Sequence, residues 1–579
     1  MLINFKKHLS LILSLAFYLF LALVLTWPLL TNFSTHILGT PGDSPMYLWS
    51  QWWLKYSLTQ GASPFDANLL AYPFGANLAF SALTATNGIL TNLFLFFLPP
   101  IVAFNSFFII SLVLAALGAY LLLDFLVENK YAAFIGGAMF VFNAYVFSKI
   151  GHYNYASVYL IPFFLLFFIK VFSLSKKIKY VIGSGLVLAL SFYNDYYYTI
   201  GLLIISALIG FWFIWKNKNE RVANIKNWFL VYLLWLVLAS PLLFLTIQGA
   251  WGGALPLARI EQIALYSPDI RSFFVPPPSQ TFFGSYFIDY YKNLNFHASV
   301  VYPGYSLLIL AVIGYFVGRK IKQKLPANFW LLVVLIFFFI VLGPVLYFKA
   351  PLFHLPYILF SYLPFVKGML VPCRLVVFMN LGLITLAAFG LSCFFKKSAL
   401  NYFSKLAIAL AVAGVFIFEN MLLPLPINKV SVPSVYQQIA ADKEASVVLE
   451  LPFALSTSFF TIGQIPSSAV LQYYQSVHHK KILGGWISRV PNSYPNFYSR
   501  VTGLDYLIDP KIELSKETLG QIKPMALANF NKLNISYVIV HPEYYNHLEL
   551  RNTINFLNET LSIKPEIKDD LFLYKMPRK

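Results

Sequence analysis

Residues 101–127 read Ile101-Val-Ala-Phe-Asn-Ser-Phe-Phe-Ile-Ile-Ser-Leu-Val-Leu-Ala-Ala-Leu-Gly-Ala-Tyr-Leu-Leu-Leu-Asp-Phe-Leu-Val127, and this run decides the class of the fold. Its single charge is Asp124, close to its end. A helix rises about 1.5 Å per residue, so such a run crosses a hydrocarbon layer of about 30 Å. Ten more stretches have the same character: 9–30, 131–149, 155–173, 180–194, 196–215, 228–248, 303–318, 328–348, 374–395 and 401–423. The composition agrees. The chain of 579 residues is 59% hydrophobic and 11% charged, with a mean hydropathy of +0.68, whereas soluble domains carry about 25% charged residues. A soluble enzyme, a disordered chain and a disulfide scaffold are excluded. The expectation is an α-helical polytopic membrane protein of about eleven transmembrane helices.

The stretch 180–215 is the one irregular span. As a single helix it would measure about 54 Å, too long for one bilayer. Two short helices meeting at Asn194-Asp195 resolve this. Cys373 and Cys393 fall on one expected helix, about 30 Å apart, and cannot pair. The run 9–30 follows Lys6 and Lys7 and is longer than a signal-peptide core, so it reads as a retained first span.

Basic residues give the expected sidedness. Seventeen, from Lys6 and Lys7 through Lys176, Lys177 and Lys179 to Lys405, fall in segments on one side. Eight, including Lys149, Arg259, Arg271, Lys367 and Arg374, fall in the much longer loops of the other. The positive-inside rule then places the N-terminus in the cytoplasm, and an odd number of spans places the C-terminus outside. The net charge of +19 reads as basic cytoplasmic loops, and no nucleic-acid partner is expected.

Two domains are expected. Residues 1–424 form the membrane domain with long external loops at 31–100 and 249–302. Residues 425–579 form a soluble extracytoplasmic α/β domain, with strands at 445–451 and 534–540 and helices at 434–443 and 516–532. Unusual residues gather in the external loops. Asp43 sits in Gly39-Thr-Pro-Gly-Asp-Ser-Pro-Met-Tyr-Leu-Trp49. The Pro-Gly turn sets a corner, and Tyr47, Trp49, Trp52 and Trp53 then predict an aromatic helix at the membrane interface. A carboxylate there suits chemistry on a lipid-borne substrate. It also suits a plain helix N-cap.

Several short segments occur in a fixed order: Gly42-Asp43 with Tyr47-Leu48-Trp49, Tyr72-Pro-Phe-Gly75, Gly151-His-Tyr-Asn154, Tyr266-Ser-Pro-Asp269 with Phe274-Val-Pro-Pro277, Pro372-Cys-Arg374, and Gly485-Trp-Ile-Ser-Arg-Val-Pro491. With this layout the chain resembles the GT-C superfamily of polyprenyl-phosphate-sugar-dependent membrane glycosyltransferases, and within it a prokaryotic group with a C-terminal extracytoplasmic domain. The resemblance implies a GT-C-like membrane domain in the plasma (inner) membrane. It implies inverting transfer of a hexose or pentose from a polyprenyl-phosphate carrier to a glycan, lipid or protein acceptor outside. In such proteins an acidic residue early in the first external loop is catalytic, and Asp43 occupies that position. No second acidic motif like that of the metal-dependent members is present, so a divalent metal stays open and no other cofactor is implied.

Inversion requires a base for the acceptor proton and a cation for the leaving phosphate. Asp43 is the expected base. The candidates for substrate binding are His152, Asn154, Asp195, Arg259, Tyr266, Asp269 and Arg374, with Arg271 and Lys367 as further outer cations. Each has a plainer reading. Arg374 opens a span and could snorkel to the interface, Arg259 could pair with Glu261, and the tyrosines around Asp195 could be an ordinary aromatic belt. Two other functional readings stay open: a transporter or flippase of lipid-linked sugars, and a non-catalytic scaffold for envelope assembly. A transporter would more often show an internal repeat, which the sequence lacks.

Overall fold

The computed structural model describes residues 2–174, 177–251, 258–292, 300–363, 368–463 and 468–577. Lys176, Lys367 and parts of the loop expected at 249–302 lie outside them. The chain divides into two compact units. One comprises Met1–Phe33, Phe104–Pro241 and Leu257–Pro426, and the other Ser34–Ala103, Leu242–Pro256 and Ile427–Lys579.

All eleven expected apolar stretches fall on helices. Among the described residues, six helices are long and apolar enough to cross a membrane: Pro100–Val127, Lys130–Ser148, Tyr196–Lys216, Lys218–Gly249, Pro372–Lys397 and Tyr402–Asn420. Shorter apolar helices cover Leu9–Leu25, Leu160–Ser173, Ile178–Asn194, Tyr305–Gly318 and Ala327–Val341. In lipid a helix satisfies its backbone internally, which is why these runs fold locally.

In the first unit Pro372–Lys397 is the hub. Its apolar window is 94% buried, against 17% for Tyr402–Asn420, so the former is enclosed by protein and the latter turns its apolar side outward. The hub lies against Tyr305–Gly318, Ala327–Val341 and Lys130–Val141. At its crossing with Tyr305–Gly318 a Cβ on Gly314 would sit 1.9 Å from the Leu386 carbonyl oxygen, so only hydrogen fits there.

The stretch 180–215 is indeed two helices, Ile178–Asn194 and Tyr196–Lys216. Asp195 between them is extended, and its carboxylate accepts from Tyr198 N at 3.0 Å, capping the second helix. A second capping device ends Tyr402–Asn420. Glu419 accepts from Ser306 N at 2.9 Å, from the Ser306 hydroxyl at 2.6 Å, from the Tyr302 hydroxyl at 2.7 Å and from Tyr305 N, all at the start of Tyr305–Gly318. Asn420 accepts from Ala144 N at 3.2 Å. A carboxylate at a helix N-terminus also meets the positive end of the helix dipole.

The second unit is α/β. Strand Val447–Leu451 lies between Lys481–Ile482 and Ile535–Val540, all three parallel, and Leu571–Lys575 and Glu566–Lys568 extend the sheet antiparallel. The two expected helices are Val435–Ala441 and Lys516–Lys532. The segment Ser34–Ala103 belongs to the same unit. Its strand His36–Leu38 pairs antiparallel with Ile427–Lys429, and its segment at 71–75 is stitched to the C-terminal residues. Tyr72 N donates to Ile482 O at 3.0 Å, the Tyr498 hydroxyl donates to Tyr72 O at 2.8 Å, and the Phe74 ring stacks on Tyr494 at 4.5 Å.

The predicted aromatic helix is Ser44–Thr59, but its setting differs from the expectation. Trp49 and Trp53 are 1% and 2% exposed and stack on each other at 5.7 Å. They face helix Ser468–His478, not lipid. The indole nitrogen of Trp49 donates to Gln475 Oε1 at 2.9 Å, and Gln475 Nε2 donates to Leu69 O at 2.8 Å and to Lys480 O at 2.9 Å. Burial of these large rings needed a partner 426 residues away, which no local pattern announces. Gln475→Leu leaves one donor and two acceptors without that side chain, and an unsatisfied buried polar group costs about 1–3 kcal/mol. The expected loss is therefore about 2–4 kcal/mol, read as a lowered unfolding midpoint of the full chain in detergent. An unchanged midpoint would show that Gln475 is not the hub of this packing.

Candidate functional site

The first unit gathers a polar-aromatic cluster from four segments in three separate parts of the sequence. Helix Lys130–Val141 is followed at Asn143 by the short helix Ala144–Ser148, which supplies Tyr145. The tip Gly151–Asn154 leads into the short helix Tyr153–Ala156, with His152 at its N-cap position. The helix break supplies Asp195 through Tyr198, and the turn Pro372–Leu375 supplies Arg374.

The guanidinium of Arg374 lies over the Tyr155 ring at 3.9 Å and over the Tyr197 ring at 5.0 Å, and it donates to the Tyr155 hydroxyl. Cation–π contact of this kind favours a positive charge away from bulk water. The turn is held from behind, because the Tyr145 hydroxyl donates to Arg374 O at 2.9 Å and the Val371 amide donates to the Tyr197 hydroxyl at 3.1 Å. The Tyr198 hydroxyl donates to Tyr155 O at 2.7 Å and sits 3.0 Å from that of Tyr145. Asn154 Nδ2 donates to Asp195 Oδ2 at 2.7 Å. The carboxylate is thus occupied by Asn154 and by the Tyr198 amide. Among the described residues Arg374 has no ion pair, and Tyr155 is the one acceptor for its guanidinium. A guanidinium carries five donors and is suited to carboxylate or phosphate oxygens.

Electrostatics in the turns follow from burial. Asp195 is pushed up to about 6 by burial, against the lowering effect of the Tyr198 amide, Arg374 and Asn154. His152 is driven well below the ordinary imidazole value, by burial first and then by the charges of Arg374 and Lys149. It therefore stays neutral and able to donate or accept one hydrogen bond.

The expected site residues distribute unevenly. His152, Asn154, Asp195 and Arg374 come together. Arg259 is exposed at the start of helix Ile260–Ala264, with no ion pair among the described residues. Tyr266 is half-buried in the turn that follows. Asp269 is fully buried and closed on Arg271, accepting from its Nε at 2.8 Å, its Nη2 at 2.7 Å and its amide at 2.9 Å, and from Lys349 N at 2.7 Å. Asp43 stands in the second unit at the N-cap position of Ser44–Thr59, half-buried, and its side chain makes no capping hydrogen bond. The plain N-cap reading is therefore not what the geometry gives. Tyr145 and Tyr155 were not singled out by sequence, and Tyr197 entered only as one of the tyrosines around Asp195. The signal available was the density of tyrosine at the two polar tips. Among the described residues no group of three or more His, Cys, Asp or Glu side chains assembles. Among the described residues Asp195 and Asp269 direct their oxygens at N–H donors.

No family model and no curated sequence matches the chain. Solved structures do. The Archaeoglobus fulgidus oligosaccharyltransferase, tethered with an acceptor peptide containing the NVT sequon, aligns over 92% of this chain and 69% of its own, with a TM-score of 0.52 and 16% identity. The same enzyme in complex with Zn and sulfate gives 0.50 and 14% over 92% and 68%. The arabinofuranosyltransferase AftD from mycobacteria gives 0.53 and 14%, over 93% of this chain and 38% of its own. This chain shares the fold of these structures. In that frame, the helix break at Asp195 and the turn Pro372–Leu375 bring an arginine and a carboxylate into one cluster.

The buried setting of Asp195 has a direct readout. Because the folded state holds the proton more tightly, this group's stabilising contribution is full below about 4 and is lost as pH rises through about 6. Infrared titration of the full chain should show a protonated carboxyl band, absent in Asp195→Asn, that disappears with a midpoint near 6. A midpoint at the ordinary carboxylate value of about 4 would contradict the burial argument.

Proposed function

We propose that this chain is a membrane glycosyltransferase that moves a sugar from a polyprenyl-phosphate carrier to a glycan, lipid or protein acceptor, with inversion at the anomeric carbon. The observation that carries the reading is Arg374, held between two tyrosine rings with no acidic partner among the described residues. A phosphate oxygen supplies what that guanidinium lacks. The GT-C fold supports the reading, because its solved neighbours include an oligosaccharyltransferase and an arabinofuranosyltransferase.

In the proposed reaction an acceptor hydroxyl attacks the anomeric carbon and gives its proton to a general base, the role that the resemblance implies for Asp43. The bond from that carbon to the phosphate oxygen breaks, and the polyprenyl phosphate leaves with the electron pair. Arg374 neutralises the charge that develops on the leaving oxygens. His152 and Asn154 border the cluster as hydrogen-bonding groups for phosphate or sugar. Arg259 and Tyr266 remain candidates for substrate contact, whereas Asp269 is closed on Arg271. Although one neighbour structure is a complex with Zn and sulfate, no step here is routed through a metal.

The basic asymmetry of the loops supports a cytoplasmic N-terminus and an extracytoplasmic C-terminus in the plasma membrane. On this reading residues 1–424 are the membrane domain and 425–579 the soluble domain, with the acceptor and the lipid-linked donor meeting outside.

The test is transfer by the purified full chain in lipid nanodiscs, offered polyprenyl-phosphate sugars and candidate acceptors. Asp43→Asn should lower kcat by about 10²–10⁴-fold, the usual worth of a general base, while donor binding persists. Arg374→Leu should weaken donor binding at least tenfold, since a hydrogen bond to a charged group is worth about 1.5–3 kcal/mol. Full turnover in Asp43→Asn removes the base assignment. Translocation of labelled donor without sugar release would favour a flippase.

A further inference from the structure

Four residues beyond the end of helix Ala327–Val341 begins a two-stranded hairpin, Val345–Phe348 and Ala350–His354, followed by the short helix Tyr357–Ser361. The second strand is exposed along its whole length. Successive side chains of a strand point to opposite faces, yet Leu352 and Phe353 are 57% and 58% exposed. Both faces of this strand are thus open, and both are apolar. Phe348, Leu359, Tyr362 and Leu363 continue the surface, at 49%, 75%, 71% and 50% exposure. Single exposed apolar residues are ordinary, but a contiguous run of this kind marks a contact surface.

The surface is rigidly presented. The turn of the hairpin is fixed by Asp269, which accepts from Lys349 N at 2.7 Å while gripping Arg271. The Arg271 guanidinium in turn lies over the Phe348 ring at 4.9 Å. The base of the hairpin is fixed by the covalent chain. Residues 342–344 between helix and strand span at most about 10 Å, so the strand pair stays close to the end of an apolar helix. That helix itself exposes Leu332, Leu335 and Phe339, so apolar side chains are open to the outside on both the helix and the hairpin.

We propose that this hairpin and the helix after it form a lipid-binding platform that lies in the bilayer at the headgroup–acyl boundary. Depth is set by two opposing demands. The apolar side chains favour hydrocarbon. The first strand is bridged to Asp269 at Tyr347, and the second strand's outer edge carries N–H and C=O groups that cannot enter hydrocarbon unpaired and must reach water or headgroups. The balance is met where interfacial segments lie, with the backbone at the headgroups and side chains about 5–10 Å deep. Lys349 at the turn then places its ammonium among lipid phosphates. Another strand is a poor alternative occupant, since the edge carries Pro351 and the strand pair has a register break between Leu346 and Tyr347, both devices that discourage edge pairing.

The experiment places an environment-sensitive fluorophore at Phe353→Cys or at Leu359→Cys in the full chain, with Cys393→Ser to remove the partly exposed native thiol; label on the buried Cys373 is measured in the parent protein and subtracted. The protein is reconstituted in phosphatidylcholine–phosphatidylglycerol nanodiscs carrying nitroxide lipids, shallow or deep in the acyl chain. The expected result at both positions is blue-shifted emission, quenched roughly twofold more by the shallow nitroxide than by the deep one. Water-like emission without quenching would overturn the proposal. So would blue-shifted emission that neither nitroxide quenches, which means a protein cover, or stronger quenching by the deep nitroxide, which means full insertion.

Discussion

A guanidinium enclosed by tyrosine rings and left without a carboxylate is the constraint around which the membrane unit is arranged. Desolvating a positive charge is costly unless something replaces water. Here the replacement comes from two π faces and one phenol, and the nearby Asp195 is diverted to an amide and a helix N-terminus. The helix break is what makes this diversion work. An unbroken helix through 180–215 would satisfy its own backbone and leave Asp195 free to neutralise the arginine. Because the chain breaks there, the carboxylate has a cap to make, and the cation remains available to an incoming anion.

The same economy of acidic groups recurs elsewhere in the unit. Glu419 is spent on the first turn of Tyr305–Gly318, and Asp269 on Arg271 and the hairpin turn. Asp195, Asp269 and Glu419 are each hydrogen-bonded at both carboxylate oxygens, as burial requires. Asp43 stands at the N-cap position of Ser44–Thr59, and its side chain is not used for the cap.

The apolar helices were legible because lipid makes composition decisive, and every run of sufficient length became a helix. The break at Asp195 was legible from length alone, and Arg374 from its position as a lone cation opening a span. The strands at 447–451 and 535–540 were legible from their β-branched runs. What stayed hidden was everything that depends on a distant partner. Which tyrosines would face Arg374 depends on how three helices pack. Trp49 read as interfacial because indole suits membrane surfaces, and only the Gln475 amide, far along the chain, makes it a core residue. Asp269 and Arg271 read as two separate candidates until the coordinates closed one on the other.

The second unit is assembled from the beginning and the end of the polypeptide, with strand His36–Leu38 waiting for Ile427–Lys429 and helix Ser44–Thr59 waiting for Ser468–His478. During biosynthesis the early segment must therefore persist, unassembled and rich in tryptophan, while some four hundred residues are still being translated and integrated. Loop closure over such a separation is slow, and an exposed aromatic helix is prone to stray association in the interval. Maturation of this protein is accordingly tied to completion of its last third, and a truncated product would lack not only its tail but the means to fold its first loop.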